Sequence, residues 1–157
     1  MSEIAVQTGL SKASINSYLS YQEYAYKLPE ISVDADRSKL YRTRKRYVDH
    51  LQTKMSERSL WNAIIVFQDY PFHTVGKNLP FKYQLKVGRD GTYNKELIIN
   101  SRKASKTLAW SSVRLAFYNV KKMGEIPIVK RAKDIGDIRG ISYIYAIFLR
   151  FGIIIRE

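Results

Sequence analysis

Phe81-Lys82-Tyr83-Gln84-Leu85-Lys86-Val87 alternates large apolar with polar side chains, Gly88-Arg89-Asp90-Gly91 follows with turn chemistry, and β-like sequence resumes from Tyr93 to Asn100 through Leu97, Ile98 and Ile99. A period of two interrupted by a Gly/Asp turn predicts a β-hairpin with one buried face. Both flanks read as helical. Upstream, S-L-W-N-A-I-I-V-F-Q-D-Y begins at Ser59 and ends before Pro71, with Leu60, Ile64 and Phe67 as core candidates. Downstream, Ser105 to Val120 places Val113, Ala116, Phe117 and Val120 at i, i+3, i+4 and i+7, a helical stripe that Gly124 stops. After a basic loop, Lys130-Arg131-Ala132-Lys133, and turns at Gly136 and Gly140, an apolar helix is expected from Ser142 to Phe151, with a last strand, Ile153 to Ile155, joining the hairpin. Helices gathered around a hairpin predict an α+β fold, mainly helical, of winged-helix type with Ser105 to Val120 as a second reading helix.

Working back along the chain, Asp36 to Met55 reads as one helix in which Leu40, Tyr47 or Val48, Leu51 and Met55 fall near helical spacing. Its other faces carry Arg42, Arg44, Lys45 and Arg46, placed to track a phosphate backbone. Before it, Leu28-Pro29-Glu30-Ile31-Ser32-Val33 interrupts the helical pattern and suggests an extended linker. Three segments follow: a module over residues 1–34, a basic linking helix over 35–58 and an α+β domain over 59–157.

Residues 4–19 of that module read as two short helices joined by a tight turn. Ala5 is small where the helices cross, Gly9 suits the turn, and Leu10 fills the angle between them. Ser11 caps the second helix, whose Ile15 and Leu19 face inward while Lys12, Ala13, Asn16 and Ser17 face out. The string I-A-V-Q-T-G-L-S-K-A-S-I resembles the helix-turn-helix of LacI-type repressors, V-A-x-x-A-G-V-S-x-x-T-V. That resemblance implies base contacts by Lys12, Ala13 and Ser17, with Asn16 on the same face, and places Ser11 near a phosphate. From Leu60-Trp61 through the hairpin to K-T-L-A-W-S-S-V-R and D-I-R-G-I-S-Y-I-Y, the chain is also similar to an uncharacterised family of bacterial mobile-element proteins, from which no activity carries over.

Charge supports a polyanionic partner, because 27 Lys and Arg against 14 Asp and Glu leave +13 on 157 residues. The excess is uneven. Residues 1–35 hold two basic and four acidic side chains, whereas residues 36–58 hold eight and three, and residues 95–133 hold ten and two. Phosphate grip is therefore expected from the later segments, through Lys103 and Lys106 as well as the helix arginines. A chain without cysteine has no disulfide framework, thiol nucleophile or cysteine zinc site. The best apolar run, Ile141 to Ile155, is broken by Arg150 and Gly152, so no membrane span or membrane partner is expected and the protein reads as cytoplasmic.

Catalytic patterns do not assemble. Lys95-Glu96-Leu97 lacks the acid-x-lysine spacing of metal-dependent nucleases, and Arg139 with Tyr143 or Tyr145 matches a tyrosine recombinase in residue type alone. His50 and His73 stand in unrelated contexts, and the glycines form no phosphate-binding loop. No catalytic residue, cofactor or metal is expected. Tyrosines 18, 21, 24 and 26 exceed what a small module buries and suggest a docking or dimer contact. The expected function is non-enzymatic, sequence-specific binding of double-stranded DNA by a homodimer, as a transcriptional regulator of a mobile element. A protein-binding effector that inhibits a nucleic-acid enzyme is the competing expectation. Bases stacking on Phe72, Phe81 and Trp110 rank below duplex binding.

Overall fold

The basic run folds as helix α1 (Arg37–Thr53) in the computed structural model, which describes residues 37–101 and 105–157. Segment 4–19, read from sequence as a helix-turn-helix, lies outside the described residues, as do the tyrosine cluster and Lys103. The division between structural units falls between Leu40 and Tyr41, inside the helix read as a linker. From Tyr41 onward α1 belongs with everything that follows, and its Val48 and Leu51 are buried. Helix α2 (Glu57–Val66) starts two residues before the expected Ser59 because the Ser56 hydroxyl accepts from the Ser59 amide at 3.1 Å. Its Leu60 and Ile64, with Phe67 just beyond its end, are fully buried.

The hairpin is the centre of a four-stranded antiparallel meander, β1 (Phe72–His73), β2 (Pro80–Val87), β3 (Tyr93–Ser101) and β4 (Ser105–Ala109), paired in chain order. Tyr83 stands opposite Ile99, and Leu97 lies between Leu85 and Leu108. This register puts Phe81, Tyr83, Leu85, Leu97, Ile99 and Leu108 on one buried face and leaves Lys82, Gln84 and Lys86 in solvent, as the period-two pattern requires. At the turn, the Asp90 carboxylate accepts from the Thr92 amide at 3.1 Å and its hydroxyl at 2.8 Å, and Gly91 adopts φ +84°.

Two expectations are corrected. Ser105–Ala109 is not the start of a helix but strand β4, pairing with Glu96 to Asn100, so helix α3 (Trp110–Lys122) begins later. Five residues are too few to display a period, and the sheet supplies the partner that the local sequence does not reveal. The stripe Val113, Ala116, Phe117 and Val120 is buried as expected. Ile153–Ile155 does not join the hairpin either. Gly152, with φ +70°, caps helix α4 (Ile141–Phe151) and turns the chain so that Ile155 bridges Ile128 in parallel. The Val129 amide then donates to the Ile155 carbonyl at 2.8 Å and the Ile155 amide to Pro127 at 2.9 Å.

Aromatic rings tie these elements together. Phe67 meets Phe151 edge-on at 4.9 Å, and Phe72 stacks on Phe81 at 5.3 Å. Two buried hydroxyls close backbone gaps, Tyr83 donating to the Ile64 carbonyl and Tyr145 to the Val129 carbonyl, each at 2.6 Å. Gln52 of α1 donates to the Phe151 carbonyl at 2.8 Å, joining the first described helix to the last.

Candidate nucleic-acid interface

Arg42, Lys45 and Arg46 are exposed on α1, where i, i+4 spacing puts Arg42 and Arg46 on one face. Lys45 is paired with Asp49 at 3.1 Å, in an exposed contact worth little. Arg42 and Arg46 have no carboxylate partner among the described residues, and Arg46 only lies over the neighbouring Tyr47 ring at 5.6 Å. Both charges are thus open to an external anion. Lys106 is exposed on the edge strand β4, opposite Ile99.

Arg44 departs from the outer group. Its Nε donates to the Val66 carbonyl and its Nη2 to the Gln68 carbonyl, each at 2.9 Å. The Val66 carbonyl is among those that the end of α2 leaves without intrahelical partners, and the Gln68 carbonyl lies in the turn just after it, so the guanidinium works as a C-terminal cap. It therefore does not track the outer face of α1 with Arg42 and Arg46. The sequence carried a signal for this: Arg44 stands four residues before Val48 and seven before Leu51, on the stripe that goes inward.

Around Arg44 the chain builds a mixed cluster of rings and guanidinium groups. The Arg44 Cζ lies 5.4 Å from the Phe67 ring centroid and 5.3 Å from that of Tyr70. Arg150, near the end of α4, approaches the same two rings at 5.2 and 4.9 Å, and its Nε donates to the Tyr70 hydroxyl at 2.7 Å. Burial lowers the Arg44 pKa and the Arg150 charge pushes the same way, against opposing effects of Tyr83, Tyr70 and Asp69. Neither arginine forms an ion pair with a described carboxylate. Asp69, the acid in this neighbourhood, is exposed and takes Gln84 Nε2 at 3.1 Å.

A second cluster carries its own carboxylate. The Lys95 Nζ sits 3.8 Å from the Trp61 ring centroid, and Trp61 meets Trp110 at 4.8 Å. Glu57 accepts from Trp110 Nε1 at 3.1 Å and the Tyr118 hydroxyl at 3.2 Å, and pairs with Arg114 at 3.7 Å. Burial lowers the Lys95 pKa, partly offset by Glu57. These contacts fasten α3 to α2 and β3.

Other candidates resolve by position. Phe72, Phe81 and Trp110 are buried, which removes them as platforms for stacked bases. Tyr143 packs on Phe81 at 4.9 Å and Tyr145 is committed to Val129, while His50 and His73 are exposed. Among the described residues, no group of three or more His, Asp or Glu side chains is placed to hold a metal ion, and no helix is long and apolar enough to cross a membrane. Tyr70 and Arg150 were not anticipated as site residues. Arg150 stood out in the sequence only as a charge interrupting an apolar helix.

Comparison with protein-family models, with curated proteins and with solved structures finds no match.

Proposed function

We propose that the protein binds double-stranded DNA without catalysing a reaction on it, as a dimeric transcriptional regulator of a mobile element. In this reading Lys12, Ala13, Asn16 and Ser17 read base edges, Ser11 meets a phosphate, and the outer face of α1 grips the backbone through Arg42 and Arg46. The observation that carries it is the pair of exposed guanidiniums one helical turn apart, without carboxylate partners among the described residues, in a chain of net charge +13. Lys45 and Lys106 add to the same field. Pairing of two copies supplies the buried surface that one short recognition helix lacks.

Binding to a randomised duplex library at two salt concentrations tests this proposal. Enrichment of a short palindrome that persists at higher salt is expected; binding without enrichment that disappears with salt would leave only a basic surface. Lys12→Ala or Ser17→Ala should relax sequence preference, whereas Arg42→Ala or Arg46→Ala should weaken all sequences and flatten the salt dependence. A protein-binding role finds support in Ile128 and Ile155, which lie side by side in the parallel bridge, 61% and 50% exposed. A stoichiometric protein recovered after nuclease treatment would favour that role over DNA binding.

A further inference from the structure

We propose that Arg44, Tyr70 and Arg150 form a binding site for one phosphate group. Cations outnumber paired carboxylates around Tyr70. Two guanidiniums approach the same ring, at 5.3 and 4.9 Å from the Tyr70 centroid, and no described carboxylate forms an ion pair with either. The Arg150 charge already disfavours that of Arg44, and an anion that reaches both removes that cost. Asp69 does not fill the place, since it is turned to solvent and bonded to Gln84.

Both arginines are already oriented. Arg44 is fixed through Nε and Nη2 by two carbonyls, which leaves Nη1 for a ligand. Arg150 is fixed through Nε by the Tyr70 hydroxyl, which leaves both terminal nitrogens. Little side-chain entropy is therefore lost when an anion binds. A tetrahedral phosphate spreads its oxygens in several directions and can receive donors from two separate guanidinium planes, which a planar carboxylate matches less well. Tyr70 is a positioning residue that aims Arg150. The site is distinct from Arg42 and Arg46, which leave α1 from another face, so it can serve a nucleic-acid backbone phosphate or a free phosphorylated molecule.

The test follows the side-chain Nε–Hε signals of the full chain by NMR during titration with inorganic phosphate, against chloride at equal ionic strength. Saturable shifts confined to Arg44 and Arg150 are expected, with affinity falling at least tenfold in Arg150→Ala and about three- to tenfold in Tyr70→Phe. Tyr70→Phe keeps the ring and so guards against loss of fold. Shifts that are equal at Arg42 and Arg46, or no shifts beyond those of chloride, overturn the site. A second arm measures the salt dependence of duplex binding. A slope reduced by about one in Arg150→Ala identifies the phosphate as nucleic-acid backbone. An unchanged slope beside saturable phosphate binding identifies a free phosphorylated ligand and leaves the DNA-binding proposal to its own test.

Discussion

Replacing Arg44 by Met keeps most of the apolar stem and removes the charge and the donors, so it isolates the cap on α2. Its two hydrogen bonds to the Val66 and Gln68 carbonyls are charge-assisted, and such bonds contribute about 1.5–3 kcal/mol when well buried. Arg44 is only half-buried, which argues for about 1 kcal/mol each. Its contacts with the Phe67 and Tyr70 rings add roughly 0.5–1 kcal/mol. Against this, the variant is relieved of desolvating a cation and of repulsion by Arg150, both of which already lower the Arg44 pKa. The net expectation is a loss of about 2 kcal/mol, or a fall of about 8 °C in Tm for a unit of this size. Arg42→Met, on the solvent face of the same helix, should stay within about 0.5 kcal/mol of the parent protein. Urea and thermal denaturation followed by circular dichroism measure both. If the two variants melt together, Arg44 is not a cap and the division between inner and outer arginines on α1 is wrong.

Other consequences can be checked in the same way. Tyr83→Phe leaves the buried Ile64 carbonyl without its partner and should cost about 1–3 kcal/mol in urea unfolding. Burial also raises the Tyr83 pKa well above its ordinary 10.0, against the effect of Arg44. A raised folded-state pKa means that its stabilisation is complete below pH 10 and lost as pH climbs beyond that value, so urea midpoints should fall above pH 10 less steeply in Tyr83→Phe. Ionisation of every tyrosine before unfolding, read from phenolate absorbance, would contradict this. Gly140→Ala should cost about 1–3 kcal/mol, because φ is +78° there and the added Cβ would sit 2.6 Å from Leu108 Cδ1; an unchanged Tm would refute the strain. Hydrogen bonding from the Arg131 side chain holds the exposed Asp134 carboxyl below its ordinary 3.8. This depressed pKa stabilises the folded state above pH 3.8 and ceases to do so as pH drops through the lower folded value. Carboxyl NMR titration should show Arg131→Ala returning Asp134 toward 3.8.

Elements with a long, clean period were legible from residues alone. The β2–β3 hairpin, the buried stripes of α2 and α3, and the apolar α4 all announce their inward faces, because alternation and helical spacing are properties of the local chain. Strand β4 was not legible, since Ser105–Ala109 owes its extended form to Glu96–Asn100 across the ladder. The place of Ile155 depends likewise on the turn at Gly152 and on a partner, Ile128, far away in sequence. On α1, spacing sets Arg44 apart from Arg42, Lys45 and Arg46, on the inward stripe with Val48 and Leu51. The carbonyls it meets there come from Val66 and Gln68, more than twenty positions away, and are not legible locally. Arg150 and Tyr70 meet across eighty positions, and nothing local to either foretells the other.

The bond from Gln52 to the Phe151 carbonyl and the edge-on contact of Phe67 with Phe151 have a bearing on how the chain matures during synthesis. The sheet pairs neighbours in order and can form as it leaves the ribosome, whereas α1 and α2 must wait for α4 to close their contacts. Until then the Phe67 ring lacks its Phe151 neighbour and the Gln52 amide its carbonyl acceptor. A nascent chain halted before α4 would thus carry a basic helix not yet fastened to the rest, and release of the last helix would lock it in place.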